Sequence, residues 1–267
     1  MSLITLTFAV TALLYAASCA AFIAHLARGG RGGVVWASRV MALATVAHAA
    51  YLACDYFVFD HAILDDIYET LAVLSLLIAI AYLASMRTHR LTVLGAFIAP
   101  VTLLLFLGAG LRGSVPPVPD EVRSALLPVH VAVNVLGIAA FALAFAAALA
   151  YLIQEKLLRR KQVVGVFQRL PSLDVLDSLG LRLVTVGFPL FTIGLITGSF
   201  WVAQRTQSEG LSVSAGQGLA LVAWVFFGSV LLARAAAGWR GRRAAIGTML
   251  GFLFAMAAVG GYLFRGI

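Results

Sequence analysis

The sequence predicts an all-α protein: a polytopic transmembrane helical bundle of about eight spans with both termini outside. Three observations predict it. Of the 267 residues, 62% are hydrophobic and 11% charged, and the mean hydropathy is +1.01, whereas soluble domains carry roughly 45–50% apolar and about 25% charged residues. Apolar runs alternate with short charged or Gly/Pro-rich breaks, and each run approaches the roughly 20 residues needed to cross hydrocarbon. Basic residues gather on alternate breaks. Strands crossing a membrane would show about ten residues of alternating polarity; no run here does. Helices are required because each unsatisfied backbone group costs several kcal/mol in lipid.

The spans are expected near 3–27, 36–58, 69–86, 91–111, 126–154, 181–203, 218–235 and 242–264, forming one integral membrane domain over 1–267. The first has no basic residue before it and is followed by Arg28 and Arg31, so it reads as a retained span rather than a signal peptide. Ala16-Ala17-Ser18-Cys19 fails as a lipoprotein signal for the same reason. The glycines of Arg28–Gly33 form a flexible turn into the second span, and with no strand before them they make no nucleotide loop. An acidic stretch, Asp60 to Glu69, leads into the third span, which ends at Arg87-Thr-His-Arg90. The fourth tolerates Pro100 and the sixth Pro189, since neighbouring groups in a bundle satisfy the freed carbonyls; Pro128 opens the fifth, which stops before the basic run Lys156–Lys161. Asp174 and Asp177 delay the sixth to residue 181. Gly194-Leu-Ile-Thr-Gly198 and Gly247-Thr-Met-Leu-Gly251 are small-residue spacings that let helices approach closely within the bundle.

Charge fixes the expected orientation. With the 1–2, 3–4, 5–6 and 7–8 loops inside, all of the 19 basic residues but Arg112, Arg123, Arg205 and Arg265 fall inside. All of the 11 acids but Glu155, Asp174 and Asp177 fall outside. Such asymmetry is the positive-inside pattern of a multi-pass protein of the bacterial inner membrane. The net charge of +8 is then a topology signal in short loops touching anionic headgroups of the lipid bilayer, with no clustered patch for nucleic acid. Cys19 and Cys54 are too far apart for a CxxC pair or a disulfide framework. Phosphate-loop, metalloprotease-helix and nucleophile-elbow motifs are absent.

Five histidines remain. His89 lies in a basic turn, His25 at a span end where snorkelling suffices, and His61 among outer acids. His48 is mid-span and His130 just inside the outer end of the fifth span. An ionisable group at membrane depth is a functional candidate, and neutral imidazole is a common ligand of metals including haem iron; a hydrogen bond to a neighbouring helix is the plain alternative. At 1.5 Å per residue His48 would lie about 15 Å from the outer boundary and His130 about 6 Å. Either the fifth span begins earlier, or the two do not share one iron.

Several segments together resemble the cytochrome c assembly protein family, which includes CcsA, CcmC and the shorter HemX/YpjD type. They are Asp66-Ile-Tyr-Glu69 to Ser75; His130 with Gly137, then Tyr151 to Glu155; Leu170-Pro-Ser-Leu-Asp174 to Asp177; Gly187-Phe-Pro-Leu to Trp201; Ala223-Trp224; and Gly238-Trp239-Arg240-Gly241 to Ala245. The resemblance runs from about residue 45 onward. It departs from CcsA after Trp201, where Val202 to Ser214 holds no tryptophan in place of the tryptophan-rich haem motif. Leu232 stands where that group has a histidine, and no counterpart of its last external histidine is found. The HemX/YpjD branch is the nearer match.

The resemblance implies a membrane protein handling haem b for c-type cytochrome assembly, with no bond-making of its own. His130 and His48 would ligate the haem iron, Trp201 with Phe188 and Phe191 would flank the porphyrin, and Arg205 or Arg123 would pair with its propionates. Partners would be haem and other assembly membrane proteins. The alternative it implies is a HemX-type regulator that acts on a haem-biosynthesis enzyme through the 155–180 loop. A small-solute transporter finds no matched pair of broken helices.

Overall fold

A computed structural model describes residues 3–29, 31–59, 66–88, 91–111, 126–162, 164–209 and 214–263. Among these there are helices and turns and no strand. The helices are α1 (Leu3–Arg28), α2 (Arg31–Phe59), α3 (Ile67–Thr88), α4 (Gly95–Ala109), α5 (Leu126–Arg159), the single-turn α6 (Val166–Arg169), α7 (Leu173–Glu209), α8 (Ala215–Ala237) and α9 (Arg242–Leu263). All but α6 belong to the eight helices long and apolar enough to cross a membrane. The chain is a polytopic helical membrane protein.

Packing follows helical periodicity. The buried residues of α1 are Thr11, Tyr15, Ser18 and Phe22, and α2 answers with Ala37, Met41, Ala44, His48, Tyr51 and Asp55. Spacings of three and four place each set on one face. Ser18 Oγ donates to the Ala37 carbonyl across this seam at 3.2 Å, and Ser75 Oγ of α3 donates to Thr102 O of α4 at 2.9 Å. Such interhelical bonds stabilise where lipid drives no hydrophobic association. At the centre runs α5, which packs on α3, α4, α7 and α9. Its buried stretch is rich in alanine, with Ala139, Ala142, Ala144, Ala146, Ala147, Ala148 and Ala150 all covered; small side chains let four helices share one neighbour.

The two glycine pairs pack inside the bundle. A Cβ on Gly251 would lie 3.0 Å from the Phe227 ring of α8, and one on Gly198 would lie 2.9 Å from His130 Cε1 of α5.

Several boundaries differ from expectation. α2 begins at Arg31 rather than 36: Gly29 lies in the left-handed region at φ +79°, while Gly32 and Gly33 are already helical. The fourth span opens with a 3-10 turn, Thr92–Leu94, and α5 continues to Arg159, where Arg159 pairs with Glu155.

The largest difference is α7, which starts at Leu173 and runs 37 residues to Glu209. Its early carboxylate does not stop it because Asp177 is paired. Arg234 of α8 grips both Asp177 oxygens, and the Gly241 N–H donates to Oδ1 at 2.9 Å.

The 160–172 connection is docked. Arg169 donates to the carbonyls of Leu26 and His25 at the end of α1, where a cation complements the helix dipole. His25 does not simply reach for water: its Nδ1 is buried with no partner among the described residues, and a Cβ on Gly33 would lie 3.5 Å from it. His61 and His89 lie outside the described residues.

Candidate functional site

His130 lies one turn into α5 and faces α7. Its Nδ1 is 3.0 Å from Thr197 Oγ1, and its ring meets Trp201 edge-on with centroids 5.3 Å apart and an interplanar angle of 88°. Thr197 and Trp201 are four residues apart and therefore share a helix face. Gly198 between them leaves room for the imidazole edge, and a Cβ on Gly194 would overlap the Asn134 carboxamide.

Asn134, one turn after His130, donates from Nδ2 to the His130 carbonyl at 2.8 Å. The same nitrogen is 3.4 Å from both ring nitrogens; a position equidistant from the two is aligned with neither in-plane lone pair. The His130 ring is part-buried, so the site opens at the edge of the α5–α7 interface. Trp201 Nε1 is screened from solvent and meets no acceptor among the described residues. An indole N–H can only donate, so this is a buried donor awaiting an acceptor.

His48 belongs to a different cluster. It has no exposed surface and is enclosed by aromatic rings from three helices. The Tyr15 hydroxyl of α1 is 3.0 Å from His48 Nδ1. Phe106 of α4 lies edge-on with centroids 4.4 Å apart, and Tyr51 lies at 6.3 Å. His48 Nε2 is buried and meets no hydrogen-bond partner among the described residues, a cost of about 1–3 kcal/mol for a polar atom left unsatisfied. The fold thus joins His130 with Trp201 but gives His48 its own surroundings.

The remaining expected site residues are placed as follows. Arg205 is in the last turns of α7, with its side chain outside the described residues, as is all of Arg123. Phe188 stacks on Trp224 and Phe191 meets Phe141 edge-on, so both rings serve helix packing. Two site residues had not been singled out from sequence. Asn134 was within reach as a polar side chain one turn from a buried histidine. Thr197 was not, because its role needs α7 laid against α5.

Near the Asp177–Arg234 pair a small space, about 20 Å³, is lined in part by Tyr151, Asp177, Arg234 and Thr248. It has room for about one water and not for a drug-sized ligand, whose pockets run to roughly 300 Å³ or more.

Relatives share much of this chain's length. It is 27% identical over 281 residues to the cytochrome c biogenesis protein CcsA of Gloeothece citriformis, covering 86% of this chain and 83% of that one. It is 28% identical over 276 residues to CcsA of a Synechococcus species, covering 93% and 89%. With CcsA of Guillardia theta the identity is 30% over 213 residues, 71% of this chain and 69% of the other. The model of the cytochrome C assembly protein family matches residues 64–263, which run from just before α3 to the end of α9 and contain the whole His130–Thr197–Trp201 site. The chain therefore belongs to the cytochrome c assembly protein family.

Proposed function

We propose that this protein handles haem in c-type cytochrome assembly, holding haem b at the edge of α5 and α7 with His130 as an iron ligand. The observation that carries the reading is the His130 site: a part-buried imidazole anchored through Nδ1 by Thr197, above a glycine, beside a Trp201 indole N–H that meets no acceptor among the described residues. Those residues suit haem. Gly198 lets the His130 ring sit close against α7, the Trp201 ring beside it suits an apolar macrocycle, and the Trp201 N–H would offer a donor to a propionate or other acceptor. Arg205, in the same helix, would meet a second carboxylate through charge-assisted hydrogen bonds. Haem supplies iron that accepts an axial histidine; the protein orients that histidine and excludes water from one side of it.

His48 would be a second ligand or a supporting group. With no exposed surface, its ring could meet a porphyrin face only after α1, α2 and α4 part. That makes His130 the first ligand to test. The distribution of basic residues supports an orientation with the His130 end outward and both termini outside in a bacterial inner membrane, where apocytochrome and other assembly membrane proteins would receive the haem.

The test is an absorption spectrum of the detergent-purified full chain, as isolated and after titration with haemin. A Soret band with a low-spin reduced spectrum is expected, and His130→Ala should lose most of it while eluting as the wild type does. His48→Ala should retain the larger part. A wild-type protein that stays colourless through the titration would end the proposal.

A further inference from the structure

Thr197 Oγ1 lies within hydrogen-bond distance of three atoms: Ile193 O at 2.9 Å, Gly194 O at 3.0 Å and His130 Nδ1 at 3.0 Å. A hydroxyl carries one proton and two lone pairs. A threonine within a helix gives that proton to the carbonyl three or four residues back, and here both such carbonyls are in reach. Neither carbonyl can donate. Were the proton turned toward His130 instead, the hydroxyl oxygen would face two carbonyl oxygens at about 3 Å with no hydrogen between them, an arrangement of like partial charges. The proton therefore belongs to the backbone, and the hydroxyl can meet His130 only as an acceptor. Nδ1 must then carry the hydrogen. A neutral imidazole has a single N–H, so its Nε2 is left with a bare lone pair.

The other neighbours do not oppose this. One Asn134 Nδ2 hydrogen goes to the His130 carbonyl, and the nitrogen, 3.4 Å from both ring nitrogens, aligns with neither lone pair; Trp201 approaches the ring by an edge contact. Across the helix interface the ring's polar neighbours among the described residues are the Thr197 hydroxyl and the Gly194 carbonyl, both of which suit a hydrogen on the ring nitrogen between them.

We infer that Thr197 is the positioning residue of the site: it accepts the hydrogen bond of His130 Nδ1–H and so fixes the tautomer that presents Nε2 as the ligand atom. The ligand class is an iron porphyrin, and for that ligand the inference rests on the haem reading above; the tautomer itself does not. A partner that holds the second nitrogen of a ligating histidine orients the ring and raises its basicity.

The tautomer can be read without haem. Solid-state NMR of the full chain, labelled with ¹⁵N-histidine and reconstituted in lipid, should show His130 neutral and protonated at Nδ1, the signal being assigned by its loss in His130→Gln. Thr197→Ser, which keeps the hydroxyl, should preserve that tautomer. Thr197→Val, which keeps the shape, should admit the Nε2–H form. His130 found as Nε2–H in the wild type overturns the inference whatever haem does.

With haemin added, Thr197→Val should weaken retention about tenfold, at the lower end of what loss of such a partner costs in metal affinity. It should also raise the midpoint potential of the bound haem, because a less basic imidazole stabilises ferric iron less, and Thr197→Ser should restore both. A valine variant with wild-type affinity and potential would equally overturn it. A wild type that binds no haem but shows the Nδ1–H tautomer would sink the haem reading and leave the positioning role standing. Should the valine variant fail to fold, the wild-type and serine spectra still decide the tautomer.

Discussion

Replacing Gly187 with valine is expected to destabilise the protein by about 3 kcal/mol, the upper end of the ordinary cost of overpacking, and to loosen the His130 site with it. The reason is a backbone-to-backbone approach. A Cβ at Gly187 would lie 2.7 Å from Phe141 Cε1 and 3.0 Å from the Gly137 carbonyl, while a Cβ at Gly137 would lie 3.2 Å from the Gly187 carbonyl. Phe141 cannot yield, because it is itself stacked on Phe227, with centroids 3.6 Å apart. Relief requires α7 to back away from α5, and His130, Thr197 and Trp201 sit on that same interface.

Thermal unfolding in detergent micelles measures the effect. The control is Gly180→Ala on the same helix, where nothing lies within 4 Å of the added Cβ; it should be neutral or slightly stabilising, since alanine suits a helix better than glycine by roughly 0.5–1 kcal/mol. If Gly187→Val melts with the wild type, the close packing of α5 and α7 is not what the structure says.

A second large loss is expected at the other end of α7. Asp177→Ala should cost about 3–5 kcal/mol, the range for stranding one charge of a buried pair. The side chains of Arg234 and Asp177 are only 14% and 16% exposed, and the carboxylate also holds the Gly241 N–H, at a turn where Gly241 itself adopts φ +68°. Removing it leaves a guanidinium and a backbone donor unpaired at once. Arg234→Ala should cost a similar amount.

The double variant Asp177→Leu/Arg234→Met should recover more than half of the loss, because an apolar replacement of both partners removes the desolvation penalty along with the attraction. A double-mutant cycle on thermal stability checks this. Strict additivity of the two single losses would show that the pair does not couple.

These two sites mark the limits of the sequence argument. The eight apolar runs were legible because the requirement for about 20 apolar residues acts on composition, and composition is local. The start of the sixth span at Leu173 rather than 181 was not, since Asp174 and Asp177 look like interruptions until Arg234, fifty-seven residues on, is seen to neutralise one of them. The Gly194 and Gly198 spacing announced a close helix contact but not its partner. Asn134 and His130 turn out to fill the spaces those glycines leave.

At the candidate site the sequence singled out His130 and His48 through the rarity of ionisable groups at membrane depth, and Trp201 only through the family resemblance. It could not sort them. The fold does so, by setting His130 against Trp201 at an open edge and closing His48 among Tyr15, Tyr51 and Phe106.

Sequence by itself determined the class of molecule, the number of crossings and the pool of candidate ligands, because hydrocarbon imposes its demand on each segment separately. Which side chains share a site was decided only by tertiary packing. Hydrogen bonds and ring contacts act over a few ångströms, and residues 67 apart in the chain, His130 and Thr197, come within that range only once two glycine-lined helices have closed on each other.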